Sequence, residues 1–158
     1  MSPFAIAIRQ PWAALIVHGR KTIEVRRWPT RRRGLVLIHA SKLPDERDEA
    51  WQLVRGDAVL RVASGIAGGV IGCAELIDCK NYTSPTAFAT DRPMHFNRDG
   101  WFRPPVLYGF VLASARPLPF FACPGNTAFF AVPGYEMPTT SSVPPAEDRR
   151  IVVPPPEG

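Results

Sequence analysis

Three backbone breakers, Pro11, Gly19 and Pro29, cut the opening of the chain into pieces that only short elements can occupy. Proline lacks a backbone N–H, and the first position of a helix has no use for that donor. A helix is therefore expected to start with Pro11 at its first position. Trp12, Leu15 and Ile16 fall at i, i+3 and i+4, which gives it one apolar face. Gly19 adopts a left-handed cap at little cost and ends the helix after about two turns. Before it, "FAIAI" (Phe4 to Ile8) reads as a short buried strand. After it, "KTIEVRRW" alternates, with Ile23 and Val25 on one face and Glu24, Arg26 and Trp28 on the other. Pro29 stops that strand.

Further on, "LVLIHAS" (Leu35 to Ser41) is an apolar strand, and a second helix is expected from Pro44 to Arg55. Asp45 and Glu46 in its first turn suit the helix dipole. Strands follow at 69–78, 106–118 and 126–133. Between the first two of these, residues 82–105 form a long irregular stretch with several aromatics, of the kind that is often functional. Short strands with two helices predict an α+β domain on a small β-barrel over residues 1–133. Residues 134–158 are rich in proline, serine and threonine, with little to bury. They are expected to be a disordered or extended tail, and a protein partner that binds proline-rich segments would fit it.

Composition excludes several classes. In 158 residues, 46% of them hydrophobic, there is material for one core. No apolar run approaches the roughly 20 residues of a membrane helix. No basic segment precedes the apolar N-terminal residues, so a signal peptide is not expected and the cytoplasm is the expected location. The three cysteines, Cys73, Cys79 and Cys123, are odd in number and contain no C-x-x-C. With His18, His39 and His95 they make no spaced ligand set, so neither a disulfide framework nor a metal is expected. The glycines around Gly69 lack the lysine of a phosphate loop, and no cofactor is expected.

Charge is distributed unevenly. The segment 1–34 holds Arg9, Arg20, Lys21, Arg26, Arg27, Arg31, Arg32 and Arg33 against one acid, Glu24. That amounts to +7 in a chain whose net charge is +5. A concentration of this kind is the footprint of a polyanion partner. Lys21 follows the capping glycine and suits a phosphate contact. Burial beside other cations would lower its pKa and make it a base. Glu24 is either the counter-ion of this patch or an acceptor for a base edge. Trp12 and Trp28 are candidate stacking platforms, and Gln10 a hydrogen-bonding one. His39 and Ser41 close the "LVLIHAS" strand, where a histidine is able to pass a proton. Tyr108 adds a hydroxyl, and Arg31, Arg32 and Arg33 suit phosphate tracking.

"IRQPWAALIVHGRKTIEVRRW" followed by "RGLVLIHAS" closely resembles the opening of ASCH domains. "VIGCAELIDC", "YGFVLASARPL" and "AFFAV" extend the resemblance over about Phe4 to Pro133. Q-P-W-A, a short helix and then G-x-K-x-x-E-x-R carry most of it. The resemblance implies a PUA-like fold, a small β-barrel flanked by short α-helices. It places a site in the cleft between the first helix, the next strand and the barrel. It implies binding of RNA, or less readily DNA. Some members are hydrolases that cleave RNA or remove acyl groups from modified cytidine nucleosides. Lys21 matches the family's central lysine, which would be the base, with Glu24 or His39 assisting. In the acyl-removing branch a threonine stands where this chain has Glu24. The related EVE and YTH domains read modified bases in an aromatic pocket.

Overall fold

A computed structural model describes residues 3–138. Most of the tail expected at 134–158 lies outside them. Six strands form one mixed sheet: β1 (Phe4–Ile8), β2 (Ile23–Arg26), β3 (Gly34–Ala40), β4 (Gly69–Tyr82), β5 (Leu107–Ala122) and β6 (Phe130–Ala131). Their order is β2-β5-β4-β3-β1-β6. β1 and β3 run parallel, with Ala5 opposite Leu37 and Ile8 opposite Ala40. The remaining pairs are antiparallel. Register shifts at Val70/Gly72, Cys73/Glu75 and Leu76/Asp78 mark irregularities that bend the long β4–β5 ladder. The barrel is open, since β2 and β6 end the order unpaired with each other. This mixed α+β arrangement fits a PUA-like fold.

Period-two alternation sorts the strand residues between two cores. Ile6, Ile8, Val36, Ile38, Ile71, Ala74 and Leu76 face α1 (Trp12–Val17), whose six residues are all buried. Ala5, Leu37, Val70 and Cys73 face the other way and are covered by Val132 and Tyr135. The packed part therefore continues past Pro133 to Tyr135. α1 sits so close to the sheet that a Cβ on Gly72 would lie 2.6 Å from Val17 and 2.5 Å from the Arg116 carbonyl. Truncating Leu15 or Ile16 to alanine in such a core typically costs about 2–5 kcal/mol.

Several sequence expectations need correction. Pro11 precedes the first helical residue and follows a cis Gln10–Pro11 bond. The helix expected from Pro44 begins only at α2 (Asp48–Gln52): Arg47 is extended at ψ 124°, and the Asp45 carboxylate accepts from Trp12 and Arg47 instead of opening a helical turn. An unanticipated α3 (Ala58–Ser64) follows, capped by the Asp57 carboxylate. The stretch 82–105 is not irregular throughout. It contains α4 (Pro85–Thr90), α5 (Arg92–His95) and a 3-10 turn at Asp99–Trp101. Of the strand expected at 126–133, only Phe130 and Ala131 pair. Among the described residues, no helix is long and apolar enough to cross a membrane.

Candidate functional site

Gly19, at φ 76°, ends α1 as the sequence predicts. The N–H groups of Arg20 and Lys21 then donate back to the Leu15 carbonyl at 2.8 and 3.0 Å. This turn delivers Lys21 to the base of a cavity of about 1110 Å³. That is slightly above the roughly 300–1,000 Å³ common for ligand pockets. Lys21 is 2% exposed, yet its side chain lines the cavity. Its Nζ donates to the His95 carbonyl at 2.8 Å, lies 3.5 Å from Glu24 Oε1, and stands 5.0 Å from the Trp12 ring centre. Burial lowers its pKa. Glu24 opposes that shift, and Arg26 and Arg47 reinforce it.

Glu24 and Arg26 share a face of β2, as the alternation predicts. Glu24 Oε2 accepts from Arg26 Nη2 at 2.9 Å and from Nε at 3.2 Å. Arg26 Nη2 also donates to the Ala7 carbonyl at 2.8 Å. One carboxylate oxygen thus faces Lys21 and the other Arg26, so Glu24 is the counter-ion of both.

The neighbouring wall holds residues that the sequence reading gave other roles or missed. Trp12 Nε1 donates to Asp45 Oδ2 at 2.8 Å. Arg47 donates to Asp45 Oδ1 through Nε and through its backbone N–H, each at 2.9 Å. Burial works against the Asp45 charge, but the bonds from Arg47 and Trp12 win and hold its pKa at about 2. The Arg47 guanidinium lies 3.7 Å over the ring of Trp101, which is 41% exposed. Asn97, Arg103, Asn126 and Thr127 complete this side. In the sequence Asp45 reads as a dipole-compensating acid. Trp101 carried only the general signal of an aromatic in a long connection.

Arg9, Trp12, Lys21, Glu24, Arg26, Arg27, Trp28 and Ser41 come together on the cavity wall. Trp28 packs edge-on against Phe110 and Phe129 at 5.1 and 5.6 Å, which fixes its ring. The other candidates lie elsewhere. Gln10 is 2% exposed and fully bonded: Nε2 donates to the carbonyls of Ala63 and Ile66, and Oε1 accepts from the Ala14 N–H. His39 is 1% exposed and bonds the Cys123 carbonyl at 2.7 Å. Tyr108, opposite Arg26 in the β2–β5 register, packs against the core. Arg31 is exposed on the turn before β3. Arg32 lies 3.7 Å over the Phe4 ring, and Arg33 donates to the carbonyls of Thr30 and Arg32.

Comparison with known proteins agrees with this architecture. The ASCH protein of Zymomonas mobilis superposes with a TM-score of 0.59 at 17% identity, over 83% of this chain and 87% of that one. A point mutant of the same protein gives 0.59 at 16%, over 84% and 91%. At such identities the likeness speaks for the fold. In sequence, the human and mouse proteins named Activating signal cointegrator 1 are each 37% identical over 82 residues. That stretch is 48% of this chain and 14% of theirs, so the match covers a small part of those proteins. The ASCH domain pattern itself matches residues 6–116, from the middle of β1 to within β5, and takes in the turn and strand that carry Lys21, Glu24 and Arg26. This chain belongs to the ASCH domain family.

Proposed function

We propose that the domain binds single-stranded nucleic acid, RNA in preference to DNA, by seating an unpaired nucleotide in the cavity. The observation that carries this is the lining: Arg9, Lys21, Arg26, Arg27, Arg47 and Arg103 against Glu24, Asp45 and Glu46, with Trp12, Trp28 and Trp101 on the same walls. Such a surplus of cations attracts phosphate, and an exposed ring offers a base about 1–3 kcal/mol of stacking. Exposed Arg9, Arg27 and Arg103 would meet the backbone on either side of the seated nucleotide. Membership of the ASCH family supports the same reading. The test is affinity for short single-stranded RNA, single-stranded DNA and duplex across a salt series. The reading expects tightest binding to single-stranded RNA and a log–log fall with salt. Equal, salt-independent or absent binding at low salt contradicts it.

A second reading is hydrolysis of RNA or of a modified nucleoside with Lys21 as base. It is favoured by the lowered Lys21 pKa and the adjacent Glu24. His39, bonded to Cys123 away from the cavity lining, takes no part in it. Product from labelled RNA or acylated nucleosides, lost in Lys21→Ala, would support this reading. Activity that survives the substitution would reject it.

A further inference from the structure

Lys21 leans on a group that the reading of the cavity leaves unused. The carbonyl that accepts its Nζ belongs to His95, the last residue of α5, just before Phe96 turns left-handed at φ 60°. The His95 ring holds that turn. It has no exposed surface and stacks on Phe88 at 4.2 Å. Nε2 meets the Phe88 carbonyl at 2.7 Å, and Nδ1 meets the Asn97 N–H at 3.0 Å. A backbone N–H only donates and a carbonyl only accepts. Nδ1 is therefore bare and Nε2 carries the hydrogen, which makes the imidazole neutral. A second proton, on Nδ1, would set two donors against each other at Asn97.

The groups around the ring come from every neighbouring element. Lys21 approaches from the turn before β2, Tyr82 from β4 at 6.0 Å, and Phe88 from α4, while Asp91 and Arg92 lie in its own turn. Burial lowers the imidazole pKa below 6.5. The Phe88 carbonyl and Asp91 oppose this, and Lys21 and Arg92 add to it.

We propose that His95 is a positioning residue for Lys21, and that protonation of its ring releases Lys21 from its seat in the cavity. The proposal rests on the reading of the cavity as a nucleic-acid site. Loss of the Asn97 bond frees the turn, the His95 carbonyl withdraws, and the ammonium keeps only Glu24 and the Trp12 face. RNA affinity then falls in acid, opposite to the trend of a basic protein that gains charge. The sign for stability is the same. A histidine whose folded pKa is lowered contributes fully above 6.5, and that contribution is lost as pH falls through the folded value.

Two measurements on the full chain test this. In the first, the Lys21 Cε resonance and the His95 ring are followed by NMR from pH 8 downward through the His95 midpoint without nucleic acid. Lys21 is expected to shift at the His95 midpoint. That inflection should vanish in His95→Asn, whose Oδ1 accepts from the Asn97 N–H but takes up no proton. In the second, a single-stranded RNA of about 12 nucleotides is titrated at fixed salt. Wild-type affinity is expected to weaken by about tenfold between pH 7.5 and a pH below the His95 midpoint found in the first measurement, the scale of one hydrogen bond to a charged group. His95→Asn should keep its affinity across that range. His95→Gln, which preserves the donor to Phe88, replaces it if the first variant does not fold. A Lys21 resonance that ignores the His95 titration overturns the proposal whatever the RNA does. A Lys21 that follows His95 while RNA binding survives Lys21→Met overturns the cavity reading instead.

Discussion

The chain places positive charge in two neighbouring regions that are built differently. In the cavity each inner cation has fixed partners. Lys21 has the His95 carbonyl and Glu24, Arg26 has Glu24 and the Ala7 carbonyl, and Arg47 has Asp45 and the Trp101 ring. In the turn before β3, Arg31 is exposed and Arg32 rests on Phe4. Arg33 spends donors on its own turn and stands 3.8 Å from Asp78. Charge density alone therefore does not mark a site. A cation already held in place gives up little freedom when a ligand arrives. A solvated arginine contributes long-range attraction that salt screens.

The sharpest way to break this comparison is at its lone early acid. Glu24→Gln leaves Lys21 and Arg26 largely buried without a counter-charge and should cost about 3–5 kcal/mol in urea unfolding. A cost under about 1 kcal/mol would put the cluster on a par with surface pairs. Asp45 comes next. Its folded pKa of about 2 lies below the ordinary 3.8, so its stabilisation is present above 3.8 and is lost as pH falls towards 2. Asp45→Asn should lower stability at pH 7 by about 2 kcal/mol and remove that part of the acid dependence, measured as urea midpoints from pH 6 to 2. Replacing Arg31, Arg32 and Arg33 with glutamine should change stability by no more than about 0.5 kcal/mol. On RNA it should flatten the log–log salt slope by about 2, with little loss at high salt. An unchanged slope would remove the turn from the interface.

What the sequence revealed follows from the range of the forces involved. Gly19 and the alternation from Lys21 to Arg26 are local, so the helix end and the shared face of Glu24 and Arg26 were legible. Asp45 was not, because Asp48 and Glu49 satisfy the same first-turn rule and nothing local says which pair opens the helix. Gln10 and His39 looked like site residues because a polar side chain reads the same whether it bonds a ligand or a backbone carbonyl. The seat of Lys21 was hidden for another reason. Its acceptor lies 74 residues along the chain, on a helix inside a stretch that looked irregular. The pairing of Glu24 is likewise set by the fold, which brings a separate cation to each of its oxygens.

The central claim is that the prepared cation in the cavity, rather than the denser arginine turn, governs nucleic-acid binding. The direct measurement is the affinity of a single-stranded RNA for wild type, Lys21→Met and the Arg31/Arg32/Arg33 glutamine variant. All three would be compared at one near-physiological salt concentration, with the fold checked by circular dichroism. The account predicts at least a tenfold loss for Lys21→Met, from the hydrogen bonds of one charged group, and a smaller loss for the arginine variant. Lys21→Met binding as tightly as wild type, with the arginine variant failing to bind, would contradict it.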